Sequence, residues 1–217
     1  MENIGVEYYE NYNYLLSIFK KDDIICEKEN LTVNDIIKYN ESSSSYITKI
    51  INNFHIDKGC GKGYIFPKFL KINNYTQEFI KKKNENIKNF TQNNNYIGVH
   101  YRGKDRPNDL KKILENIIEN SKKNNIKNIY LATDEYSIFY KIKYFVEENK
   151  LNFFYTSIPF DTQGKPLHFT YKNKHELVLN VLADMYFLYK SKIFIPSIKS
   201  NISKWIIEMK KNNYDIF

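Results

Sequence analysis

The chain has 217 residues, enough for one large domain or two small ones, and its 42% hydrophobic and 16% aromatic content excludes a disordered segment. A formal charge of +8 would suit a nucleic-acid partner, but the lysines are spread along the chain and the Lys, Asn, Ile, Tyr and Phe excess matches an AT-rich coding sequence, which argues against nucleic acid. Cys26 and Cys60 stand in unrelated contexts, and neither a Cys/His ligand spacing, a basic-then-apolar leader nor an apolar run of membrane-spanning length occurs, so the expectation is a soluble, cytoplasmic protein with no metal site and no membrane span.

Residues 1–72 form the less regular part, a short N-terminal region. Tyr8 to Phe19 is rich in aromatics, Leu31 to Tyr39 suits a short helix capped by Thr32 or Asn34, and Ser42 to Ser45 is a polar break. The run Lys58-Gly-Cys-Gly-Lys-Gly63 has the look of a phosphate loop, but Gly63 stands where Ser or Thr is required and Tyr64-Ile-Phe-Pro67 reads as extended, so an ordinary turn is expected. Asn74 to Phe90 reads as a basic, solvated connecting helix.

From residue 73 onward the pattern predicts a second domain, 73–217. Strand-like runs occur at Tyr96 to Tyr101, Asn128 to Ala132, Leu151 to Ile158 and Lys192 to Ile195. Between them lie helix-period segments. Leu110, Ile113, Leu114, Ile117 and Ile118 share one face behind Pro107; Ile138, Phe139, Ile142, Phe145 and Val146 share another; Leu177, Val178, Val181, Leu182, Met185 and Leu188 share a third. Strands alternating with amphipathic helices predict an α/β fold, a Rossmann-like parallel sheet with helices on both faces and right-handed crossovers.

On that frame the polar residues converge. His100 and Arg102 follow the first strand, with Lys104, Asp105 and Arg106 close behind; Thr133 and Asp134 follow the second; Ser197, Ser200 and Asn201 follow the fourth. Carboxyl ends of parallel strands share one edge, where ligands bind, and a helix beginning near Ser200 would aim its free N–H groups at that edge. Each residue also has a plainer role open to it. Asp134 and Ser200 are good helix caps, His100 could be a satisfied core histidine, Asp184 calls for a buried donor, and Arg102 could form an internal ion pair with Asp134 or Asp184.

His100-Tyr-Arg102-Gly-Lys-Asp105-Arg106 resembles the HxRRxDK-type motif of the fucosyltransferase superfamily that includes nodulation and α-1,6-fucosyltransferases. Ile129-Tyr-Leu-Ala-Thr-Asp134 resembles its second motif, Ala183 to Leu188 through Ser197 to Asn201 its third, and Pro166-Leu-His168 the segment before the third. The likeness covers roughly residues 70 to 210. It implies the donor-binding C-terminal domain of a GT-B glycosyltransferase that transfers fucose from GDP-fucose, or a sugar from another nucleotide sugar, to a glycan acceptor with inversion and without a metal ion or other cofactor. Carried over by position, Arg102 would grip the diphosphate, His100 and Asp134 the nucleoside, and Ser197 and Ser200 the phosphates or sugar. Two positions depart from the pattern. Gly103 replaces a second arginine, a role left to Lys104, and Leu110 stands where the family has an acidic residue, with Asp109 beside it as the substitute catalytic candidate. Those departures and the short N-terminal part define an alternative, a non-catalytic nucleotide-sugar-binding remnant or the subunit of a split glycosyltransferase whose partner subunit supplies the acceptor domain.

Overall fold

A computed structural model of the chain describes residues 72, 74–103, 108–159, 161, 174–213, 215 and 217. The readings made above for Tyr8 to Phe19, Leu31 to Tyr39, the glycine-rich turn, Lys104, Asp105, Arg106, Pro107 and Pro166-Leu-His168 lie outside the described residues. The chain divides into two compact units, one formed by Glu78–Ile207 and one by Met1–Gln77 with Glu208–Phe217. The first of these carries the sheet.

Four parallel strands build it: β1 (Ile97–Tyr101), β2 (Asn128–Thr133), β3 (Asn152–Phe154) and β4 (Ile193–Ile195), in the spatial order β3-β2-β1-β4. The register sets Ile97 against both Ile129 and Ile193, and His100 against Ala132. The third strand is shorter than the run from Leu151 to Ile158 suggests. Only Asn152, Phe153 and Phe154 find partners on β2, and the chain then leaves the sheet through Tyr155 and Thr156.

Helices α1 (Asn74–Thr91), α2 (Leu110–Asn124), α3 (Tyr136–Glu148), α4 (Lys174–Lys190) and α5 (Asn201–Asn212), with a 3-10 turn at Gln92–Asn94, complete the described elements. Strand periodicity decides what each helix meets, because successive side chains point to opposite faces. Ile97, Val99, Tyr101, Ile129 and Leu131 face Ile113 and Ile117 of α2 and Phe139, Ile142 and Val146 of α3 in one buried cluster. Gly98, Tyr130 and Phe154 point the other way. A Cβ on Gly98 would lie 2.8 Å from Ser191 Oγ and 3.3 Å from Leu188 Cδ2, so the missing side chain is what lets the end of α4 rest on β1. Tyr130 packs on Phe187 of α4, with ring centroids 5.2 Å apart.

Local chemistry starts and stops the helices. Asp109 caps α2 by accepting the Lys112 N–H at 3.2 Å, and Asn125 ends it in the left-handed conformation at φ 52°. The lysine pairs 111/112 and 122/123 are exposed, as a solvated face requires. For α1 the expectation of a merely solvated connector is corrected. Ile80 and Ile87 are buried, Phe90 stacks on Phe154 at 5.3 Å, and the Asn128 side chain donates to the Phe90 carbonyl at 3.1 Å. The many lysines obscured an apolar stripe too sparse to stand out as a period.

Candidate functional site

From β1 the chain runs through α2 to β2 and on to β3 on one side, then reverses and returns by α4 to place β4 on the other side of β1. A crevice opens at such a reversal, outside the carboxyl ends of the strands. Here it is a cleft of about 160 Å³ with apolar walls from Ala132, Ile158, Pro159, Leu177, Val181, Leu188 and Ile202. Its polar members are His100, Arg102, Thr133, Asp134, Ser157, Asn180 and Asp184. A larger, shallow groove of about 680 Å³ runs along Leu110, Leu114, Ile118 and Phe145, flanked by Lys111, Glu115, Glu119 and Lys122. It lacks convergent polar groups from strand ends, so the smaller cleft is the better candidate.

Arg102 is held from both of its ends. Its backbone N–H donates to Ser197 Oγ at 3.2 Å and its carbonyl accepts from Asn108 Nδ2 at 3.4 Å. Asn108 Nδ2 also donates to Ser197 Oγ, and the Tyr101 hydroxyl donates to the Asn108 carbonyl at 3.4 Å. At the far end, Arg102 Nη1 lies 2.7 Å from Asp134 Oδ2, with the two side chains 23% and 19% exposed. The other oxygen of Asp134 accepts the Gly103 N–H at 2.8 Å. The cap of α3 is Glu135, without a side-chain capping bond, so Asp134 does not cap. Its carboxylate is occupied by the loop after β1 instead.

Gly103 is tightly enclosed. A Cβ there would come within 2.9 Å of Glu135 Cβ and closer still to its carboxylate, so the second arginine of the resembled motif could not be accommodated without moving Glu135. Beside it, His100 Nδ1 shares a 2.7 Å hydrogen bond with Ser203 Oγ, which also accepts the Ser197 N–H at 2.9 Å. Burial first, and the neighbouring Arg102 charge second, push the His100 pKa down to about 3, so the ring is neutral at physiological pH.

Asp184 obtains the buried donors its position requires. Tyr130 Oη and Thr156 Oγ1 each donate to Oδ1 at 2.6 Å, leaving Oδ2 outside the pair. Burial nevertheless pushes the Asp184 pKa up to about 6, against the pull of Thr156, Tyr130 and the Lys83 charge. Asn180 Oδ1, on the same helix, is buried without a hydrogen-bond partner among the described residues.

The sequence-derived candidates thus separate. His100, Arg102 and Asp134 line the cleft, whereas Ser197 is fully buried and spends its hydroxyl holding Arg102. Ser200 is buried and shapes the turn into α5, its N–H donating to the Ser197 carbonyl at 2.8 Å and its own carbonyl accepting from Lys204 at 3.1 Å. Asn201 is exposed at the first residue of α5, and the Asp109 carboxylate is engaged as the cap of α2. Sequence reasoning missed Asn108, Thr156, Asn180 and Ser203. Only Ser203 left a trace, three residues after Ser200 on the same side of a helix.

Among the described residues no group of three or more His, Cys, Asp or Glu side chains is gathered as a metal would need, and no helix is long and apolar enough to cross a membrane. No protein-family model matches the chain, and no curated protein matches it at a significant level.

Proposed function

We propose that the cleft binds a nucleotide sugar and that the chain is the donor-binding, Rossmann-like part of a GT-B glycosyltransferase, a fucosyltransferase-like enzyme using GDP-fucose and a glycan acceptor. The observation that carries this reading is the presence, within one apolar-walled cleft, of the Arg102 guanidinium and of the Asp184 carboxylate, whose Oδ1 takes both of its donors, Tyr130 and Thr156. A nucleotide has the complementary layout. Its flat base suits the apolar walls, its ring N–H groups suit Asp184 and the orphaned Asn180 oxygen, and its phosphates suit Arg102. Guanine, with adjacent N–H donors, is the base that best fits an acceptor-only group. As GDP leaves, negative charge grows on the phosphates, and a preorganised guanidinium stabilises it where other enzymes use a metal ion.

Calorimetry with GDP in EDTA tests the reading. Binding of GDP in preference to UDP and dTDP is expected; response to another nucleotide moves the donor assignment, and a flat response to all three ends it.

The second reading, a non-catalytic nucleotide-sugar-binding subunit that acts with a partner, is favoured by Asp109. Its carboxylate is committed to capping α2, and Leu110 lines the other groove. GDP-fucose binding without transfer or hydrolysis, and recovery of transfer on adding a partner chain, would select it.

A further inference from the structure

We infer that Asp134 is a positioning residue: it holds the Arg102 guanidinium in place before any ligand arrives, rather than touching the nucleoside as the family resemblance implies. This rests on the reading of the cleft as a nucleotide site. Three observations support it. The Asp134 carboxylate is itself fixed, because Oδ1 accepts the Gly103 N–H at 2.8 Å while Oδ2 meets Arg102 Nη1 at 2.7 Å. Arg102 is tied at its backbone by Ser197 and Asn108, so both ends of a long, entropy-rich side chain are constrained. Gly103, which joins the two anchors, has no room for a side chain against Glu135, so its backbone sits close against that residue. A guanidinium fixed in this way loses little freedom when a phosphate docks, which raises affinity without adding a contact.

A competing role is conceivable from the same geometry, in which Asp134 occupies the phosphate position and must be displaced. The two differ in sign. The chain has only two arginines, Arg102 and Arg106, which makes the guanidinium groups individually observable by NMR once Arg106→Lys assigns them.

In the full-length chain without ligand, the Arg102 guanidinium is expected to rotate slowly and to show a coupling through the hydrogen bond to the Asp134 carboxyl carbon. Asp134→Asn should remove that coupling and speed the rotation, and GDP affinity in EDTA should fall roughly 10–100-fold, the usual loss when a partner that orients a ligating group is removed. In an Arg102→Ala background Asp134→Asn should cause no further loss, because it acts only through Arg102. Equal or tighter GDP binding by Asp134→Asn, losses that multiply in the double variant, or a freely rotating Arg102 in the unaltered chain would each overturn the proposal. If the unaltered chain binds no GDP, the nucleotide reading fails, while the NMR signals still decide whether Asp134 fixes Arg102. Should Asp134→Asn not fold, the coupling in the unaltered chain decides by itself.

Discussion

His100 and Asp184 line the same cleft and are shifted in opposite directions, so their effects on stability should cancel in acid and reappear when one is removed. The Asp184 pKa rises from 3.8 to about 6 on folding, so the native state holds the proton more tightly and stability increases as pH falls through 6. The His100 pKa drops from 6.5 to about 3, so the unfolded chain takes the proton and stability decreases as pH falls below 6.5. From pH 7.5 to 4.5 linkage gives a gain of about 2 kcal/mol from Asp184 and an opposing loss of about 3 kcal/mol from His100. Asp184→Asn keeps the shape and an acceptor for Tyr130 and Thr156 but removes the titration. Urea unfolding at pH 7.5, 6.5, 5.5 and 4.5 should therefore show it losing about 2 kcal/mol relative to the unaltered chain toward pH 4.5. His100→Asn, which places an amide near the Ser203-bonded nitrogen, should gain about 3 kcal/mol relative to the unaltered chain over the same range. Other carboxylates contribute equally to all three proteins and drop out of the differences. Stability curves that run parallel across pH would show that the cleft does not desolvate these groups, and the reasoning would fail.

Arg102→Ala should lose roughly two to four orders of magnitude in GDP affinity, the worth of two hydrogen bonds to a charged group, with Arg102→Lys recovering little; its melting should reflect no more than about 1 kcal/mol, because the Asp134 pair is partly exposed. A large melting loss with unchanged GDP binding would instead assign Arg102 a structural role. Gly103→Ala places a methyl group against Glu135 and should cost about 1–3 kcal/mol in urea unfolding, and a cost below about 0.5 kcal/mol would mean that the loop yields. Tyr130→Phe removes one of the two donors to Asp184 and should cost about 1.5–3 kcal/mol at pH 7.5 but less at pH 4.5, where Asp184 is protonated; equal costs at both pH values would contradict the arrangement.

The four strands and the helices between them could be read from period and composition because each sheet face buries its own alternate residues. Ile97, Val99 and Tyr101 fall on one face and Gly98 and His100 on the other, and His100 is the one polar residue within the strand. The crossing of β4 to the far side of β1 was less legible, since periodicity reports which face is buried and not which neighbour a strand chooses. In the site, the strong donors and acceptors His100, Arg102 and Asp134 were visible by type and position. What could not be read was the division of labour. Ser197 resembles a ligand residue in sequence, but its hydroxyl is used up by the backbone of Arg102, a fact that depends on a contact 95 residues away. Asp109 shows the same ambiguity: one carboxylate serves as cap or as base, and only the Lys112 N–H at 3.2 Å decides for the cap.

The bond between His100 and Ser203 joins residues 103 positions apart, and β4 reaches the sheet only at β1. During synthesis at about 5–20 residues per second, β1 would wait on the order of ten seconds for the strand that covers its open edge. Throughout that interval Ile97 and Val99 lie on an edge that any extended segment could pair with, a recognised route to aggregation. The open edge of β1 therefore gains its partner late in synthesis, and a ligand touching both Arg102 and α5 would bind the finished chain but not a nascent chain that ends before α5. Such a ligand would stabilise the native state over the unfolded one by RT ln(1 + L/Kd), where L is its free concentration.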